Sequence, residues 1–157
     1  MEWSSGVCYA PLYFTEHWQL ILAGLHIYRH FGVGLQIFYI QSVGEGIWEL
    51  LQAYKEEGVL EFEPWTLSKL DEESIVEIGL DPRLEFEWRN QPAAYTDCIL
   101  KYKEIAQFLI MADLDDIWFP HMANTFMDEF RLLSKQFPTA AAFYYNRHDV
   151  EYHTCNY

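Results

Sequence analysis

The chain is short of positive charge. Ten Lys and Arg stand against 24 Asp and Glu, which leaves a net charge of −14 at neutral pH. A nucleic-acid partner requires a basic face that displaces counterions, so this composition argues against one. It argues equally against electrostatic adhesion to anionic membranes. Long apolar runs are lacking too. None approaches the roughly 20 residues of a membrane-crossing helix, and no signal peptide is evident, so no membrane contact is expected within this chain. Cysteine is scarce. Cys8, Cys98 and Cys155 do not define a disulfide framework. Cys8 and Cys98 fall inside predicted elements, where buried thiols are the default, and a single disulfide stays open if the chain lives in an oxidising lumen. Internal repeats and low-complexity tracts are absent. What the chain does have is apolar and aromatic side chains, 51% and 18% of its 157 residues. That is enough for one ordered domain, residues 1–157, with a real core.

Periodicity divides the chain into alternating strands and helices. Val7–Ala10 reads as a short strand stopped by Pro11. Thr15 is an expected N-cap with Glu16 in the first turn, and Trp18, Ile21, Leu22, Leu25 and Tyr28 recur at helical spacing up to Gly32. Leu35–Ile40 is a second, central strand. After the loop 41–46, Ile47, Leu50, Leu51 and Tyr54 mark a helix that Gly58 ends. Leu60 and Phe62 alternate with Glu61 and Glu63 in a third strand closed by Pro64. Residues 65–89 break the rhythm as a long acidic excursion, with one helical turn near Glu72–Ile78. Pro92 suits the first turn of a helix running to about Ile105. The apolar run Phe108–Ala112 predicts a strand buried on both faces. Thr125–Lys135 is a further helix, Ala140–Tyr145 a fifth strand, and residues 146–157 a polar tail. This order predicts an α/β fold with right-handed crossovers.

The chemistry concentrates just past the buried strand, in Asp113-Leu114-Asp115-Asp116. Open α/β sheets bind ligands at the carboxyl ends of their strands. Asp113 and Asp115 are two apart, and on an extended backbone they would point the same way. Converging carboxylates repel unless a cation lies between them. Hard oxygen ligands favour Mg²⁺ or Mn²⁺ over zinc or copper. Asp is also common past strands as a cap or turn former, so the pair is a short signal by itself. Tyr9, Pro11 and Tyr13, at the end of the first strand, could line a base-binding pocket or simply pack. Trp65, Trp88 and Trp118 could stack on sugars, with core packing the default. His26 and His30 share a helix face without a third ligand, which favours ordinary surface histidines. His121, His148 and His153 follow the Asp cluster, and one of them could complete a metal shell there, with no such role the default. Glu129 is expected on a solvated helix face.

Three blocks together resemble a known family. They are Cys8–Phe14 with Glu16, Trp18, Tyr28, Gly32 and Val33; Gln91 through Ala94 to Asp97-Cys98; and Ala112–Asp116 with Pro120. Their order and spacing resemble glycosyltransferase family 92, across nearly the whole chain. The resemblance implies a GT-A fold: a Rossmann-like nucleotide-sugar-binding domain with a mostly parallel sheet and helices on both faces. It implies that Asp113 and Asp115 are the Asp-x-Asp pair that holds Mn²⁺ (or Mg²⁺) and the donor. It implies an inverting galactosyltransferase that moves galactose from UDP-galactose to a glycan acceptor. Its setting would be the Golgi lumen, as a type II membrane protein in full-length form. The family carries Glu where this chain has Asp116, one methylene shorter. Five strands are fewer than a full GT-A domain needs, so a donor-binding part, incomplete at its carboxyl end and inactive alone, is expected. Asp113 and Asp115 also look like the first motif of haloacid-dehalogenase phosphohydrolases, where the first Asp is a nucleophile. Ile117 and the short remainder of the chain count against that. A non-catalytic binding module is the third reading.

Overall fold

The structure is a computed structural model that describes residues 3–65, 71–81 and 90–146. Four parallel strands are the frame: β1 (Trp3–Leu12), β2 (Leu35–Ile40), β3 (Leu60–Pro64) and β4 (Ala106–Ala112), in the order β3-β2-β1-β4. Between and after them lie α1 (Trp18–His30), α2 (Glu45–Glu56), α3 (Glu72–Ile78), α4 (Gln91–Tyr102) and α5 (Phe126–Gln136). Side chains alternate across a strand, so each strand feeds two cores. Val7, Tyr9, Phe38 and Ile110 pack under α1, α2 and α5. Cys8, Ile37 and Tyr39 face the opposite way, onto Ala94, Cys98 and Tyr102 of α4. The result is an α/β Rossmann-like arrangement with helices on both faces, as expected.

Several local expectations change. β1 extends through Pro11. Its pairing with β4 ends at Tyr9↔Ala112, and its register with β2 shifts between Tyr9 and Leu12. Pro11 therefore sits at an irregularity where its missing N–H costs no ladder bond. Thr15 is not the N-cap of α1. It bridges Val43, and the cap is His17 without a side-chain bond, which leaves Glu16 outside the helix. β4 is an edge strand among the described residues, so Phe108, Leu109 and Met111 are half-buried rather than enclosed. The run 140–145 forms no strand. A strand exists only where a neighbouring edge supplies ladder bonds, and Ala140–Ala142 lie exposed. α4 ends at Tyr102, before Ile105.

The cysteine default also changes. Cys8 of β1 and Cys98 of α4 form a disulfide in the second core. Cys155, Trp88, His148 and His153 lie outside the described residues, as do 66–70 and 82–89 of the acidic excursion. Its expected helix is α3, capped by Asp71, whose side chain accepts from the Ser74 N–H. No helix among the described residues is long and apolar enough to cross a membrane.

Candidate functional site

The sheet order fixes where a site can form. From β1 the chain builds β2 and β3 to one side and then returns to place β4 on the other. The carboxyl ends of β1 and β4 therefore flank the point where strand order reverses, the usual ligand crevice of an open parallel sheet. Tyr9 is level with Ala112 in the register. The residues just after each, Pro11 to Tyr13 and Asp113 to Asp116, come out at the same edge.

The acidic segment leaves the sheet in a tight turn, with the Asp116 N–H donating to the Asp113 carbonyl at 3.1 Å. Asp113 and Asp115 therefore sit on a turn rather than on an extended backbone. Asp113 is half-buried and Asp115 exposed. Tyr28 of α1, fully buried and stacked on Phe126, donates its hydroxyl to the Asp116 carbonyl at 3.2 Å and ties the turn to the first core. On the other side, α4 supplies Gln91 and Tyr95. Gln91 Nε2 donates to Asp113 Oδ1 and, at 2.7 Å, to the Tyr95 hydroxyl. The Tyr95 hydroxyl donates to the same Asp113 oxygen at 3.2 Å. Burial pushes the Tyr95 phenol up; the Gln91 bond opposes this and the Asp113 carboxylate adds to it. Tyr95 thus stays protonated and able to donate at neutral pH.

Of the other expected donor contacts, Tyr13 is 37% exposed and meets Phe14 edge-on at 4.8 Å. Phe14 is 75% exposed and held at φ 47°, its N–H bonded to Ser42 Oγ. A bulky residue in the left-handed region is strained, and such strain gathers at functional sites. Pro11 is buried in the strand. Tyr9 is corrected to a core residue. It is 1% exposed, stacks on Phe38 and donates to Gln36 Oε1 at 2.7 Å, so it has no face left for a base.

The remaining candidates separate from the site. His26 bonds Tyr54 at 2.7 Å, while Trp65 and Trp118 pack against Tyr39 and against Phe126 and Phe130. Glu129, expected in solvent, is 1% exposed and accepts from the His121 and Met122 N–H groups at 2.6 and 2.7 Å. Two open grooves, of about 590 and 560 Å³, line α1 near His30 and Trp18 and include neither Asp113 nor Asp115. The acidic turn, with its converging donors, carries more chemistry than either groove. Among the described residues, no three His, Cys, Asp or Glu side chains gather to form a metal cage. Two carboxylates at a sheet edge fit a hard cation that keeps waters and takes phosphate oxygens for the rest of its shell.

Sequence reasoning missed Gln91 and Tyr95 as part of the site. The signal available was their helical spacing with Cys98, which places all three on one face of α4.

The profile of glycosyltransferase family 92 matches residues 4–156, and the chain belongs to that family. It is 39% identical over 139 residues to glycosyltransferase family 92 protein F59C6.8 of Caenorhabditis elegans, covering 88% of this chain and 26% of that protein. It is 37% identical over 147 residues to protein F13G3.3 of the same family and organism, covering 92% of this chain and 28% of the relative. The chain thus spans about a quarter of the length of these relatives. No solved structure matches it.

Proposed function

We propose that this chain forms the donor-binding part of an inverting glycosyltransferase that moves galactose from UDP-galactose to a glycan acceptor with help from Mn²⁺ or Mg²⁺. The observation that carries the reading is the acidic turn at the β1–β4 strand-order reversal in a member of family 92. Asp113 and Asp115 are the residues that would hold the cation beside the donor diphosphate. When bound, the cation acts as a Lewis acid on the leaving phosphate oxygen. The chain's own part is to fix the donor. The Asp116 N–H and the Tyr28 hydroxyl lock the backbone of the turn, and Tyr13, partly exposed past the end of β1, would supply an aromatic contact to the donor. Inversion needs a base on the acceptor hydroxyl. Glu129 is not placed for that, because it is buried and engaged with loop N–H groups. The Cys8–Cys98 disulfide supports an oxidising compartment such as the Golgi lumen.

Calorimetry of UDP binding tests the reading. Binding is expected with Mn²⁺ and should be lost after EDTA, and Asp115→Asn should weaken it at least about 10-fold. Glu72→Gln, on exposed α3, should leave it unchanged. Equal binding with and without metal removes the cation from the site. A covalent phosphoaspartyl adduct at Asp113 would reverse the assignment in favour of a phosphohydrolase.

A further inference from the structure

Asp113 does not set its own orientation. Both donors from α4 reach the same oxygen, Oδ1, and are themselves joined by the 2.7 Å bond from Gln91 to the Tyr95 hydroxyl. A three-membered ring of hydrogen bonds of this kind leaves the carboxylate little rotational freedom about χ2 (an otherwise soft torsion). α4 is in turn immobilised. Its inward face carries Ala94, Cys98 and Tyr102 into the core, and Cys98 is bonded covalently to Cys8 on the strand beside β4. At its amino end, Asn90 takes the left-handed conformation (φ 64°) immediately before Gln91. Asn tolerates that conformation better than most residues. The helix is thus pinned at Cys98 and enters at Gln91, and the two side chains between and at these points converge on the acidic turn.

We propose that Gln91 and Tyr95 are positioning residues that hold the Asp113 carboxylate in its ligand-binding orientation, with the Cys8–Cys98 disulfide anchoring the helix that carries them. The proposal rests on the reading of Asp113 as a donor and cation ligand. Physically, a pre-oriented ligand loses less freedom on binding, and partners that orient ligating groups typically matter by 10–100-fold in metal affinity. Tyr95→Phe removes only a hydroxyl, and Gln91→Leu replaces the amide with apolar methyls at a part-buried position, so both variants should keep the fold.

Two measurements separate this inference from the reading beneath it. In ¹H–¹⁵N spectra of the whole chain, the Gln91 side-chain amide should be displaced from the position of an exposed amide, and should return toward it in Asp113→Ala. No change on that substitution overturns the inference whether or not UDP binds. Calorimetry with UDP and Mn²⁺ is the second measurement. Tyr95→Phe and Gln91→Leu should each weaken binding about 10-fold, and neither should add a further loss in an Asp113→Asn background. Loss of binding in Asp113→Asn with both α4 variants at wild-type affinity overturns the positioning role and leaves the donor reading standing. Wild-type affinity in Asp113→Asn overturns the donor reading, and the positioning role falls with it.

Discussion

Single side chains carry unequal weight in this molecule, and Glu129 shows why. Its residue type and the helical pattern around it predict a solvated carboxylate, yet it is buried and caps two N–H groups in the loop that follows the acidic turn. A carboxylate is kept in such a place by charge-assisted bonds to backbone donors. Removing it leaves those part-buried donors without their acceptor. Glu129→Ala should therefore destabilise the fold by about 2–3 kcal/mol, and Glu129→Gln, which keeps an acceptor oxygen, by clearly less. Urea denaturation midpoints at constant slope check the pair. Equal losses for the two variants would mean that packing, not hydrogen bonding, is what Glu129 provides. Tyr9 is the converse case. Its position at the end of β1 marks it for a ligand, and the bond to Gln36 commits it to the core instead. Sequence position is blind to this because which face of a strand a residue takes, and what waits there, is set by elements far along the chain.

Among the elements, α4 depends most on a single covalent bond. Its N-cap residue makes no side-chain capping bond, and Ile99 and Leu100 point to solvent at 45% and 62% exposure. The disulfide closes a loop with a sequence separation of 90 between Cys8 and Cys98. Linking residues that far apart restricts the unfolded chain by about 4–5 kcal/mol in the loop-entropy model. Cys98→Ser should thus lower stability by about 2–5 kcal/mol, read from thermal unfolding with and without reductant. A melting temperature unmoved by both treatments would show that the thiols are free. The elements themselves were largely legible. β2 was placed at its observed bounds, α5 followed from its apolar face and the glycine stops at Gly32 and Gly58 from their conformational freedom, both taking positive φ, and the helical turn expected near Glu72–Ile78 is α3. The failed strand at 140–145 has the same apolar look as β4. It makes no ladder bonds to either edge of the sheet, and whether a segment docks on an edge is not something a window of local sequence reports.

Taken whole, the molecule bears a strongly negative charge of −14 that is offset locally rather than globally. Lys101 bridges Asp97 at 2.9 Å and Glu63 at 2.8 Å, and Tyr39 donates to Asp97 at 2.7 Å, joining α4 to β3 and β2. Partial burial raises the Asp97 pKa, but the bonds from Lys101 and Tyr39 outweigh it and hold the carboxyl below its usual value. A carboxylate with a depressed folded-state pKa contributes stability above its unfolded value, about 3.9, and loses it as pH falls through the folded value. Asp97→Asn should accordingly cost about 1 kcal/mol or less at pH 7, since the pair is a third or more exposed, and nothing once the pH is well below 3.9. Denaturation of both proteins across pH 2–7 measures the difference, and a gap that persists in acid would contradict the assignment. The sequence by itself determined the alternation of strands and helices, the two-faced sheet and the family, because periodicity and motif spacing are local properties that survive in one dimension. It also pointed to Asp113 and Asp115. Only the tertiary structure decided that Cys8 meets Cys98, that Tyr9 and Glu129 are interior, and that Gln91 and Tyr95 hydrogen-bond Asp113. Those facts depend on strand order and on the docking of α4 and α5, which bring residues 8 to 90 positions apart into contact only once the chain has folded back on itself.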